Sequence, residues 1–146
     1  LGIRDLKQLF AELKAAGRSL DDHLDAFAET FGAYASAQVS IRVDDISEIA
    51  GMMARLREDS PRSIGSVAVA SVDDFRDGFQ QFGPSDILRI HLADGSRVIV
   101  RPSGTEPKLK AYLDASSTAG TGPERRAAAE AAVAALEAGV RELLGV

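Results

Sequence analysis

The sequence predicts an α+β domain in which an antiparallel sheet of about four strands carries helices on one face, preceded by a helical hairpin. From residue 34 onward the apolar periodicity follows the order strand, helix, strand, hairpin, strand and helix. This order fits neither a parallel βαβ series nor the even spacing of an all-β fold. The tripeptide Ala93-Asp94-Gly95 between two alternating runs adds a strong signal for an antiparallel hairpin.

The first 33 residues predict two short helices. Gly17 ends the first, and Ser19 can cap the second, which ends at Gly32. Each helix is expected to bury one apolar stripe, formed by Leu6, Leu9, Phe10 and Leu13 in the first and by Leu20, Leu24, Phe27 and Phe31 in the second. We expect residues 1–33 to be the helical tail of a preceding domain and residues 34–146 to form the α+β domain.

The α+β domain is predicted from alternating runs and from apolar stripes at helical spacing. Asp44 or Asp45 can cap its first helix, and the turn-rich stretch 60–65 is expected to be a loop. The predicted strands are 34–43, 66–72, 86–92, 96–101 and 108–114, and the predicted helices are 45–58 and 123–144.

The register of the 86–101 hairpin depends on the length of its turn. A two-residue turn at Asp94-Gly95 would place apolar side chains opposite largely charged ones. A three-residue loop with Gly95 in the left-handed region instead places Ile90 opposite Val98 and Leu88 opposite Val100. We prefer the three-residue loop, which puts Arg101 and Lys108 on the face away from the helices.

Composition excludes several classes of protein. The net charge of −5 offers no general footprint for nucleic acid, and the absence of cysteine removes disulfides and thiolate metal sites. No apolar stretch approaches the roughly 20 residues that a membrane-spanning helix needs. We therefore expect a cytoplasmic protein with no nucleic-acid or membrane partner.

The segment 101–108, Arg-Pro-Ser-Gly-Thr-Glu-Pro-Lys, is too rich in polar groups for a simple strand connection. A phosphate needs several charge-assisted donors around its oxygens, and such a loop can supply them. The candidate ligands are Arg101, Ser103, Gly104, Thr105 and Lys108. The alternative is a rigid surface loop in which Glu106 neutralises Arg101.

Other polar residues point to structural roles. His91 is expected on the polar face of a strand, as a surface residue or a neighbour of functional groups. His23, beside Asp21, Asp22 and Asp25, fits a solvated helix face better than a metal site. The sequence therefore predicts no catalytic residue and no metal ligand in this chain.

The segment 101–108, followed by LKAYLD, resembles the C-terminal phosphate-binding loop of the α-D-phosphohexomutases, the phosphoglucomutase/phosphomannomutase family. The preceding run DILRIHLADGSRVIV and the long final helix are similar to that family as well. The resemblance covers roughly residues 34–146 and implies a sheet like that of TATA-box-binding protein. It also implies a last domain, because the phosphoserine, magnesium and sugar-reading loops of the family have no counterpart here.

What the resemblance implies is a clamp for the phosphate that is not transferred. Arg101, Ser103, Gly104 and Thr105 would hold that phosphate, with Lys108 nearby. The whole enzyme would use Mg²⁺ and interconvert a hexose 1-phosphate and 6-phosphate through a bisphosphate, with the upstream domains as partners. Lys108 favours the glucose or mannose branch of the family. The alternative is a non-enzymatic α+β interaction module.

Overall fold

A computed structural model of the chain describes residues 11, 14, 17, 19–78 and 83–145. Three helices and six strands follow one another in these residues. In chain order they are α1 (Leu20–Phe31), β1 (Ala33–Arg42), α2 (Ile46–Glu58), β2 (Ser63–Ile64), β3 (Val67–Asp74), β4 (Leu88–Leu92), β5 (Arg97–Pro102), β6 (Lys108–Ser117) and α3 (Gly122–Leu144).

The strands form one antiparallel sheet in the order β1-β6-β5-β4-β3-β2. The predicted α+β class is therefore confirmed, although the sheet has six strands where about four were expected. β2 lies in the stretch that was predicted to be a loop. Two residues are too few to show alternation, so this strand leaves no pattern in the sequence.

The β4–β5 hairpin has the predicted three-residue loop. Leu88 pairs with Val100 and Ile90 with Val98, and the Leu92 N–H donates to the Ser96 carbonyl at 2.9 Å. Gly95 has a φ of 88°, a backbone conformation that residues with a side chain rarely adopt. The polar side chains of β4 and β5 consequently share the face opposite the core.

The core lies between the other face of the sheet and the helices α2 and α3. Both helices therefore pack on a single face, as predicted. The buried side chains of this core belong to Val39, Ile41, Ile49, Met52, Met53, Leu56, Ile64, Leu88, Ile90, Leu92, Val98, Val100, Leu109, Ala111, Leu113, Leu136 and Val140. The opposite face of the central strands stays open, which leaves it available for binding.

The helix α1 begins as predicted and packs differently from the prediction. Ser19 caps it through a reciprocal pair of hydrogen bonds with Asp22, at 3.1 Å each. Leu24, Phe27 and Phe31 were expected to be buried, and this expectation was wrong, since they are 40%, 52% and 60% exposed. The buried residue of α1 is instead Ala28, which forms a small cluster with Ala33 of β1 and Ala129 of α3.

The first predicted helix, with its stripe of Leu6, Leu9, Phe10 and Leu13, lies outside the described residues. Among the residues that the structure describes, no helix combines the length and the apolar character that crossing a membrane requires.

Candidate phosphate-binding loop

The candidate loop connects the end of β5 to the start of β6 and is held at both sides. The Ser103 N–H donates to the Lys108 carbonyl at 2.9 Å, and the Lys108 N–H donates to the Glu106 carbonyl at 2.7 Å. From the end of β1, the Val43 N–H donates to the Pro107 carbonyl at 2.9 Å. These bonds fix the loop against two strands, so its donors are positioned before any ligand arrives.

Ser103 shapes the loop through its hydroxyl oxygen. This oxygen accepts from the Glu106 N–H at 3.3 Å and, more weakly, from the Thr105 N–H at 3.5 Å. A serine hydroxyl also has one proton to donate. Ser103 can therefore hold the turn and still offer a hydrogen bond to an anion.

Gly104 leaves open space at the tip of the loop. A methyl group on its Cα would meet no atom within 4 Å, and its φ does not lie in the left-handed region. Its N–H finds no acceptor in the described parts of the chain, and the same holds for the Thr105 hydroxyl. Both residues are exposed, so these donors are accessible to a ligand.

Glu106 forms its ion pairs with Arg42 and Lys108. The Arg42 Nη2 lies 2.7 Å and the Lys108 Nζ 3.3 Å from the Glu106 Oε2. Hydrogen bonds from Lys108 and then from Arg42 hold the pKa of Glu106 below its usual value. Glu106 therefore does not neutralise Arg101, although it partly neutralises Lys108.

Arg101 pairs across the sheet with Lys110, and both side chains lie on the open face. Within residues 19–78 and 83–145, neither cation forms a salt bridge. Lys110 was not among the candidate ligands predicted from the sequence. Its position two residues after Lys108, on the same face of the strand, was the available signal.

The other charged side chains on the open face are paired. Asp73 Oδ2 lies 2.9 Å from both Arg89 Nη2 and His91 Nε2, and Arg97 Nη2 lies 2.9 Å from Asp114 Oδ2. The hydrogen bond from His91, followed by that from Arg89, lowers the pKa of Asp73. His91 thus contributes to a structural cluster on the polar face.

Metal-ligating side chains do not converge in the described part of the chain, where no three His, Asp or Glu residues could hold an ion together. The residues described here do not fit the Mg²⁺ that the family resemblance implies for the whole enzyme.

A family described as "Phosphoglucomutase/phosphomannomutase, C-terminal domain" matches residues 6–143. A probable phosphomannomutase from Haemophilus influenzae is 45% identical over 136 residues, which is 93% of this chain and 26% of that protein. A phosphoglucomutase from Staphylococcus aureus is 29% identical over 117 residues, which is 70% of this chain and 21% of that protein.

Among solved structures, parafusin, a phosphoglucomutase from Paramecium in its open form, aligns with a TM-score of 0.49 at 16% identity. The alignment covers 88% of this chain and 24% of that one. The chain thus spans about a quarter of the length of the proteins that it matches.

Proposed function

We propose that this chain is the phosphate-binding domain of a phosphohexomutase, an enzyme that interconverts the 1-phosphate and 6-phosphate of mannose or glucose. The chain belongs to the family of phosphoglucomutase/phosphomannomutase C-terminal domains. The reaction proceeds through a bisphosphorylated intermediate, and the loop 101–108 holds the phosphate that is not being transferred. The 45% identity to a probable phosphomannomutase supports this choice of substrates.

The observation that carries the proposal is the pair Arg101 and Lys110. Like charges directly opposite each other on neighbouring strands repel and therefore destabilise a sheet. Neither side chain has a salt bridge to an acid in the described residues. A phosphate bound between the two cations would remove the repulsion and would gain charge-assisted hydrogen bonds.

The loop supplies the remaining donors of the proposed site. The Ser103 hydroxyl, the Gly104 N–H and the Thr105 hydroxyl can each donate to one phosphate oxygen. Lys108 stays in the proposed set, although its ammonium is already 3.3 Å from Glu106 and contributes mainly long-range charge. The site therefore combines a preformed loop with two cations from the adjacent strands.

In this mechanism the domain positions the substrate and performs no bond-making step. When the domain binds the phosphate that does not react, the binding energy helps to orient the phosphate that is transferred. We assign the phosphoserine and the Mg²⁺ site to the domains that precede this one. Residues 1–33 belong to the tail of the preceding domain in this proposal, and the chain alone is expected to show no mutase activity.

The test is an NMR titration of the 146-residue chain with glucose 6-phosphate and mannose 6-phosphate, with glucose as the control without phosphate. The expected result is a set of amide shifts confined to residues 101–108 and Lys110, absent with glucose. Shifts elsewhere only, or no shift at all, would contradict the proposal.

Gly104→Ala sharpens the same test. The added methyl meets no protein atom within 4 Å, so the fold should tolerate it. The methyl occupies the space where the phosphate is proposed to lie, and we expect the affinity to fall about threefold or more, in line with the loss of one good hydrogen bond. Unchanged affinity would show that the ligand does not approach the loop at Gly104.

A further inference from the structure

Glu106 is the only acid in the segment 101–108, and its carboxylate is held toward the edge of the sheet. The Glu106 Oε2 lies 2.7 Å from the Arg42 Nη2 and 3.3 Å from the Lys108 Nζ, so one oxygen contacts both cations. Arg42 is the last residue of β1, which is the edge strand of the sheet. The shorter of the two contacts therefore joins the loop to the edge strand.

The strand β6 separates Arg42 from Arg101. Arg42 is paired with Lys108 across β1 and β6, and Arg101 is paired with Lys110 across β5 and β6. Neighbouring strands lie about 4.8 Å apart, so β1 and β5 are about 10 Å apart. A carboxylate that is bound by Arg42 is consequently kept on the side of β6 that is remote from Arg101.

The backbone of the loop is held without the Arg42 side chain. The Glu106 N–H donates to the Ser103 hydroxyl oxygen at 3.3 Å. The neighbouring Pro107 carbonyl accepts from the Val43 N–H at 2.9 Å. Removal of the Arg42 side chain should therefore leave the loop in place and release only the side chain of Glu106, which is 48% exposed and has room to move.

We propose that Arg42 is a positioning residue of the phosphate site, which holds Glu106 away from Arg101 and Lys110. Neither of these cations has an acidic partner in the described residues. A released Glu106 carboxylate would be attracted to them, and a phosphate would then have to displace it. This role rests on the proposed phosphate site and adds to it a residue that does not itself contact the phosphate.

The test is a double-mutant cycle between Arg42→Ala and Glu106→Gln, measured as the affinity for glucose 6-phosphate in NMR titrations at 0.15 M salt. Arg42→Ala should weaken binding about threefold, in line with the cost of breaking one exposed ion pair. The same substitution should have no effect in the Glu106→Gln background, because no carboxylate is left to be released. Arg42→Lys keeps a cation at this position and should retain most of the affinity.

A second measurement needs no ligand. The NMR signal of the Arg101 side-chain Nε–H should shift in Arg42→Ala, because Glu106 becomes free to approach it, and should not shift when Glu106→Gln is also present. The matched control is Arg55→Ala, which removes one exposed positive charge from α2, on the other face of the sheet. This control should change neither the Arg101 signal nor the affinity.

Two outcomes would overturn the proposal. A loss of affinity on Arg42→Ala that persists in the Glu106→Gln background would show that Arg42 acts on the phosphate directly. An Arg101 signal that Arg42→Ala leaves in place would show that Glu106 is not released toward it. Absence of any amide shift when glucose 6-phosphate is added to the parent chain would contradict the proposed function instead, while the Arg101 signal would still report whether Arg42 holds Glu106.

Discussion

Two groups of cations on the open sheet face differ in how they are paired. In the first group Asp73 contacts Arg89 and His91, and Arg97 contacts Asp114. In the second group Arg101 and Lys110 are neighbours across the β5–β6 pair, and neither forms an ion pair within the described residues. The proposed site is therefore distinguished from the rest of the face by the absence of an acid beside its cations, and not by their number.

The pairing also separates structural from binding roles. A salt bridge on a partly exposed face contributes little stability. It nevertheless neutralises a cation that an anionic ligand would otherwise bind. The Asp73 cluster satisfies its own charges, and the stacking of Arg89 at 5.1 Å from the Phe75 ring centre anchors it further. Arg101 and Lys110 have no acidic partner in the described residues, so their charges are available to the proposed phosphate.

Arg101→Ala should give the largest effect on binding. Removing a charge-assisted contact to phosphate costs about 1.5–3 kcal/mol, so we expect the affinity for glucose 6-phosphate to fall at least tenfold. Stability should stay within about 0.5 kcal/mol of the parent, because Arg101 is exposed and makes no ion pair in the described residues. NMR titration and urea unfolding measure the two quantities.

The matched control is Arg97→Ala, four residues earlier on the same strand and the same face. It breaks a half-exposed pair with Asp114 and should cost less than about 1 kcal/mol of stability while leaving affinity nearly unchanged. If the two substitutions weakened binding equally, the site would be a diffuse positive surface, and the distinction between paired and unpaired cations would fail.

Asp73→Asn should lower stability by about 1 kcal/mol at neutral pH, since it removes a carboxylate that accepts from Arg89 and His91 in a partly exposed cluster. The pKa of Asp73 is lowered in the folded chain. Its stabilisation is therefore present above the unfolded pKa of about 3.9 and is lost as the pH falls through the folded value.

Urea unfolding at pH 7, 4 and 3 tests this account. The difference between the parent and Asp73→Asn should shrink from pH 7 to pH 3, and sugar phosphate affinity at pH 7 should not change. Asp114→Asn removes the acid of a more exposed pair and should cost less than Asp73→Asn. A loss of phosphate affinity in Asp73→Asn would extend the binding site across the whole face.

Most of the fold could be predicted from the sequence because its elements are regular. The alternation of Leu88, Ile90, Val98 and Val100, together with Gly95, was sufficient to fix the register of the hairpin. The strand β2 was missed, since two residues carry no period. The side of α1 that packs was also predicted incorrectly, because apolar periodicity shows which side is apolar and not which neighbour covers it.

The candidate site could be predicted only as far as local sequence reaches. The loop is contiguous, so Arg101 and Ser103 to Thr105 could be recognised from their spacing and from the family resemblance. The role of Lys110 depends on its pairing with Arg101 on the neighbouring strand. The role of Glu106 depends on its contact with Arg42, which lies 64 residues earlier in β1. Pairings of this kind follow from the strand order of the folded sheet and from side-chain conformations, neither of which a single sequence displays.

Glu106→Gln should give the smallest effect and the most diagnostic one. Glu106 lies in the loop and pairs with Arg42 and Lys108, so its removal frees both cations beside the proposed phosphate. We expect the affinity for glucose 6-phosphate to rise about twofold at low salt, with a steeper loss of affinity as salt is added, because exposed charges are screened.

Glu130→Gln, an equal change in net charge on α3, should leave affinity unchanged. Weaker binding in Glu106→Gln would instead mean that Glu106 holds Lys108 in its binding position, and Lys108 would then be a direct ligand of the phosphate.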